Sequence, residues 1–184
     1  MNDHAFLAVD LTSEGRHMLS AALAEASPGP PVPGKRPPPE NWHITLRFLG
    51  ECDELATESI LRELDETLDM SGGVVYASGV AAFPHASKAG VLYVAIADDE
   101  GLLGALSTIC EETAREVGFS PEERSFVPHL TLSRLRPAMD LRRLVESFTS
   151  FRVPLDVRHV TLFRTRRIRA GVKYEAVDSV ALEA

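Results

Sequence analysis

The tetrapeptide His43-Ile44-Thr45-Leu46 returns 86 residues later as His129-Leu130-Thr131-Leu132. The same offset sets Ala5-Phe6-Leu7-Ala8-Val9 against Val91-Leu92-Tyr93-Val94-Ala95, and Glu14-Gly15 against Glu100-Gly101. A strand–helix–loop–strand unit repeated without a gap restricts the chain to architectures that use the unit twice. The expectation is an α+β fold of two lobes related by a pseudo-twofold axis, with residues 5–50 equivalent to 91–136. Antiparallel sheets would carry helices on their outer faces and leave a central cleft. At 184 residues, the chain suits one domain of two fused lobes sharing a core.

Hydrophobic periodicity supplies the elements. Residues 5–11 read as a buried strand, and 14–26 as a helix with Leu19, Leu23 and Ala26 on one face. Residues 41–49 read as a strand, and 54–70 as a helix striped by Leu55, Ile60, Leu64 and Leu68. Strands follow at 74–82 and 91–97, then a helix over 101–117 that stops at Gly118. The remaining expectations are a strand at 129–133, a helix at 139–148, and strands at 158–164 and 172–180. Ser27–Pro39 holds seven of the twelve prolines and must be an irregular, stiff loop, for which the sequence offers no function.

A composition of 45% hydrophobic and 25% charged residues is that of a soluble globular protein. Met1-Asn2-Asp3-His4 has no basic region, and the apolar run Ala5–Val9 is too short for a signal peptide or a membrane span. A cytoplasmic monomer without membrane association is expected. Two cysteines, Cys52 and Cys110, make neither a disulfide framework nor a zinc site and read as small buried hydrophobes. The net charge of −8 disfavours a nucleic-acid partner, but its distribution does not. Arg134–Lys173 carries eleven Lys/Arg against three acids, or +8, while the rest carries eight against 24, or −16. Such a segment is either a phosphate-attracting surface or a solvated basic face offsetting acidic helices.

On a strand, residues i and i+2 face the same way, so His43 projects with Thr45 and His129 with Thr131. Symmetric lobes would bring both pairs to one cleft. Opening a cyclic phosphodiester requires one group to deprotonate water and another to protonate the departing oxygen across phosphorus. Imidazole serves both tasks near neutral pH, and neighbouring hydroxyls can hold the non-bridging oxygens. One His-x-Thr carries almost no information; two at matched positions of a repeat do. A metal site is disfavoured, because no third ligand and no carboxylate recurs with the repeat. His4, His17, His85 and His159 have no symmetric partners and read as surface or incidental residues. The pseudo-symmetry leaves the acid and base roles unassigned.

Pro38-Pro39-Glu40-Asn41-Trp42-His43-Ile44-Thr45-Leu46-Arg47-Phe48-Leu49-Gly50-Glu51 resembles the first motif of the RNA 2′,3′-cyclic phosphodiesterases, also called the 2′-5′ RNA ligase family, among the two-histidine phosphoesterases. Ser125-Phe126-Val127-Pro128-His129-Leu130-Thr131-Leu132-Ser133-Arg134 resembles the second motif, and Phe6–Leu11 the family's first strand. The resemblance implies hydrolysis of an RNA-terminal 2′,3′-cyclic phosphate to a 2′-phosphate, with the reverse 2′-5′ joining as a further capacity and no metal or cofactor. It implies His43 as proton donor to the 3′ oxygen, His129 as the base, and Thr45 and Thr131 as phosphate ligands. Arg134 matches the family's arginine, although strand alternation sets it opposite His129 unless a bulge intervenes. Arg47 shares a face with His43 and Thr45 by the same alternation. Phe126 matches a family aromatic and either stacks on a base or packs in the core. Arg164–Arg169 either tracks an RNA backbone or forms a solvated hairpin. Two rival functions remain: a cyclic phosphodiesterase for small nucleotides, and a nucleotide-binding module without turnover.

Overall fold

Among the described residues, eight strands form two antiparallel sheets of four. The first has the order β2 (His43–Cys52), β1 (Asp3–Asp10), β7 (His159–Ile168), β8 (Gly171–Ala181); the second has β5 (His129–Met139), β4 (Ala89–Ala97), β3 (Gly73–Phe83), β6 (Val153–Val157). This is a computed structural model, and it describes residues 3–27, 29, 31–168 and 171–184. The two histidine strands, β2 and β5, are edge strands of different sheets that approach each other across the middle of the molecule. The fold is the expected bilobal α+β arrangement.

Three long helices are each started by a side-chain cap. Thr12 accepts from the Gly15 amide at 3.0 Å to begin α1 (Ser13–Ala26), and Asp53 from the Ala56 amide at 2.8 Å to begin α2 (Glu54–Thr67). The Asp98 carboxylate accepts from Leu103 and Gly104 at the start of α3 (Leu102–Glu116). Their apolar faces, including Leu19, Ile60, Leu64, Leu103 and Leu106, join Leu7, Val9 and Ile44 of the first sheet and Leu92, Val94 and Leu130 of the second in one continuous core. Phe6 and Ala8, one residue out of step with Leu7 and Val9, form a separate small cluster with Phe163 on the cleft side of the first sheet. The helices thus pack on the faces turned away from the cleft. No helix among the described residues is long and apolar enough to cross a membrane.

Several expectations need correction. Asp10 pairs with His43, whereas Ala95 pairs with His129, so β1 and β4 correspond one residue short of the 86 that separates the histidines. The ungapped match of their sequences would turn every side chain of one strand to the wrong face. Likewise Gly15 lies within α1, while Gly101, at φ +72°, precedes α3. Leu55 is 75% exposed, and Thr57 takes its place on the buried face of α2. The helix expected over 139–148 is only α4 (Arg142–Ser147), because β5 runs on to Met139. Strand β6 was not expected; its alternating Val153, Leu155 and Val157 are buried, and Pro154 is tolerated because the strand is an edge. Cys52 and Cys110 are buried and free, and burial pushes the Cys110 thiol up to about 12.

Candidate active site

The first seven residues of β2 and β5 share one burial pattern: half-buried, buried, half-buried, buried, buried, exposed, buried. Matched bulges produce it. Thr45 lies opposite Ala8 but Arg47 opposite Leu7, so Leu46 is an extra residue; Thr131 lies opposite Tyr93 but Ser133 opposite Leu92, so Leu132 is its counterpart. An inserted residue reverses alternation beyond it. Arg47 therefore does not share a face with His43 and Thr45. It is 6% exposed, pairs with Glu111 of α3, and donates to the carbonyls of Phe48 and Ser120. The same device turns Arg134 into the cleft, and Phe48, not singled out in the sequence, occupies the equivalent position in the first lobe. The bulge cannot be read from β2 or β5 alone, because it is defined by pairing with a neighbour.

The cleft has a volume of about 1060 Å³, and His43, Thr45, His129, Thr131 and Arg134 all line it. Phe126 does not; it is half-buried against the main core. The histidines are held identically. His43 Nδ1 lies 2.7 Å from the Asn41 carbonyl oxygen, and His129 Nδ1 lies 2.7 Å from that of Val127. A carbonyl can only accept, so Nδ1 carries the proton in both rings and Nε2 is left with its lone pair. The His43 ring sits 4.7 Å from Phe6 and edge-on to Tyr174 at 5.1 Å; His129 sits edge-on to Phe83 at 5.1 Å and close to Tyr93 at 5.4 Å.

Burial among these rings pushes the His43 pKa down to about 4, against the opposing pull of the Asn41 carbonyl and Asp10; Arg134 and His129 lower it further. Burial also lowers that of His129, helped by Arg134 and opposed by the Val127 carbonyl. Two neutral imidazoles thus face the cleft at neutral pH. This carries a stability consequence. As pH falls below 6.5, the unfolded chain takes up a proton at His43 before the folded one does, so stability present above 6.5 is lost towards pH 4. The loss attributable to this residue is roughly 3 kcal/mol. Urea unfolding across that range should show wild type losing more stability than His43→Gln; parallel losses would mean the ring is not held neutral.

The charged lining of the cleft comprises Lys35, Arg36, Arg134, Arg136 and Arg166, besides histidines, with no carboxylate among the described residues. Most of the basic segment noted in the sequence lies elsewhere. Arg142, Arg152 and Arg158 pair with Asp140, Asp99 and Asp156, and Arg164 donates to Thr57 at 2.8 Å. Arg166 pairs with Glu175 at 2.5 Å; Arg169 lies outside the described residues, as does the side chain of Arg167. Lys35 and Arg36 come instead from the proline-rich loop. No three His, Cys, Asp or Glu side chains among the described residues gather where a metal ion could be held.

Comparison with known proteins agrees with this geometry. The chain is 35% identical over 115 residues to the RNA 2′,3′-cyclic phosphodiesterase of Aeropyrum pernix, covering 62% of this chain and 65% of that one. It is 33% identical over 131 residues to that of Archaeoglobus fulgidus, covering 71% and 72%. The fold is similar to that of E. coli LigT complexed with 3′-AMP, with a TM-score of 0.80, 22% identity and complete coverage of both chains. TT0787 of Thermus thermophilus is similar at a TM-score of 0.80, 23% identity and 98% of each chain. The family model of the 2′-5′ RNA ligase superfamily matches residues 22–169, a span that contains both His-x-Thr strands and both bulges, and the chain belongs to that superfamily.

Proposed function

We propose that the protein is a cytoplasmic hydrolase that opens RNA-terminal 2′,3′-cyclic phosphates to 2′-phosphates by metal-independent acid–base catalysis. The observation that carries this reading is the convergence of two His-Thr pairs, from separate sheets, on one cationic cleft. Both pairs come from one chain, so the proposed catalytic unit is a monomer. The Thr45 and Thr131 hydroxyls and the Arg134 guanidinium hold the non-bridging oxygens, where negative charge gathers in the transition state. Nε2 of His129 takes a proton from water as the water oxygen bonds to phosphorus. The P–O3′ bond breaks, and Nε2 of His43 gives a proton to O3′, leaving a 3′-hydroxyl beside the 2′-phosphate. His43 must acquire that proton first, and an anionic phosphate against the ring favours the imidazolium. A 5′-hydroxyl in place of water would give the 2′-5′ joined product.

The test is turnover of an oligonucleotide ending in a 2′,3′-cyclic phosphate, with and without EDTA, with the product analysed for phosphate position. Undiminished conversion to the 2′-phosphate is expected. Loss of turnover in EDTA that zinc or manganese restores would refute the metal-free mechanism, and a 3′-phosphate product would reverse the assignment of the leaving oxygen.

A further inference from the structure

The two segments that lead into the histidine strands cross over to the opposite lobe. Lys35, before β2, forms a reciprocal backbone pair with Arg134 of β5, its amide donating to the Arg134 carbonyl at 2.9 Å and its carbonyl accepting from the Arg134 amide at 2.9 Å. Ser133 Oγ donates to the Pro33 carbonyl at 2.5 Å. Gly34, at φ +88°, is packed so closely that a Cβ would stand 2.6 Å from both the Arg134 carbonyl oxygen and Ser133 Oγ. Only glycine fits there. The segment before β5 is fixed in the converse way, with Arg47 of β2 donating to the Ser120 carbonyl and Glu111 accepting from the Glu122 amide at 3.2 Å.

The two straps differ in charge. The second carries Glu122, Glu123 and Arg124 and contributes none of them to the cleft lining. The first sets exposed Lys35 and Arg36, followed by Pro37 and Pro38, along the wall that also holds Arg134 and Arg136. Prolines on both sides and the β5 backbone pair hold this stretch in place, so little conformational freedom is lost when it meets a ligand. The opposite wall, around His43, presents the aromatic rings Phe6, Phe48 and Tyr174, and its Arg166 is paired with Glu175.

We propose that Lys35 and Arg36 form a backbone-phosphate subsite that takes the single-stranded RNA upstream of the reacting end, so that the strand enters along the strap and β5. This rests on the reading of the cleft as a site for RNA ends. The side chains lie on the Arg134 side of the cleft, where a second and third phosphate would arrive if the terminal one lies between the histidines. A mononucleotide has no phosphate to place there.

The test measures binding apart from turnover. A fluorescently labelled single-stranded ten-nucleotide RNA carrying the 2′-phosphate product end is titrated by anisotropy against wild type and Lys35→Ala/Arg36→Ala across a salt series, with the nucleoside 2′-phosphate as competitor. The double variant should bind the oligonucleotide at least tenfold more weakly at low salt, and its affinity should fall less steeply with salt, by roughly 1.4 in log–log slope for two contacts on a single strand. Mononucleotide affinity should fall by a smaller factor. Arg142→Ala/Arg143→Ala removes the same charge outside the cleft and should leave the oligonucleotide slope at the wild-type value. Equal affinity and slope in wild type and the strap variant would overturn the subsite. So would an equal flattening by the Arg142/Arg143 variant, because total charge would then be the cause. Turnover of the cyclic end, assayed in parallel, reports on the catalytic reading alone.

Discussion

Replacing His43 or His129 with alanine is expected to lower turnover of a 2′,3′-cyclic phosphate by roughly 10²–10⁴-fold, the range typical of one general acid or base. Each ring has its proton fixed on Nδ1 by a carbonyl two residues before it, leaving Nε2 to move protons. The aromatic neighbours, Phe6 and Tyr174 beside His43 and Phe83 and Tyr93 beside His129, pack against the rings. The double variant should fall well short of the product of the single losses, because the two groups act in one step. Thr45→Ala and Thr131→Ala should cost less, removing a phosphate contact while proton transfer survives. Steady-state kinetics on variants whose circular dichroism matches wild type decides the matter. A loss of no more than twofold at either histidine would mean that the paired mechanism is wrong.

Arg47→Ala should instead act on stability, lowering the free energy of unfolding by roughly 3 kcal/mol, the scale for breaking a buried pair from one side. The guanidinium neutralises Glu111 and satisfies two carbonyls, including that of Ser120 in the segment leading to β5. Its removal takes the guanidinium from a half-buried carboxylate and from two carbonyls that it bonds. Arg47→Met/Glu111→Leu should recover part of the loss by removing the stranded carboxylate as well. Equilibrium urea unfolding measures both variants. If Arg47→Ala unfolds within about 1 kcal/mol of wild type yet loses turnover as the histidine variants do, the arginine contacts substrate, as simple strand alternation implies.

The repeat of His-x-Thr at a fixed spacing was legible in the residues alone, and with it the two lobes and the pairing of His43 with Thr45 and His129 with Thr131. Local chemistry suffices for this, because side-chain alternation over two residues needs no knowledge of neighbouring strands. Helix faces were legible for the same reason, apart from Leu55 at a first turn, where the periodic stripe runs past the core. Only the tertiary structure decided the rest. Arg47, Phe48, Ser133 and Arg134 lie beyond bulges defined by pairing with β1 and β4, so the sequence order of the histidine strands left their directions open. The one-residue offset between β1 and β4 is likewise a matter of register with the partner strand. The proline-rich segment read as a stiff loop because proline fixes φ locally. That it crosses to the other lobe and sets Lys35 and Arg36 in the cleft depends on β5 being an edge strand with backbone groups free to receive it. Long-range hydrogen bonding made that choice, and Gly34, whose missing side chain permits the close approach, reveals that purpose only when the partner strand is known.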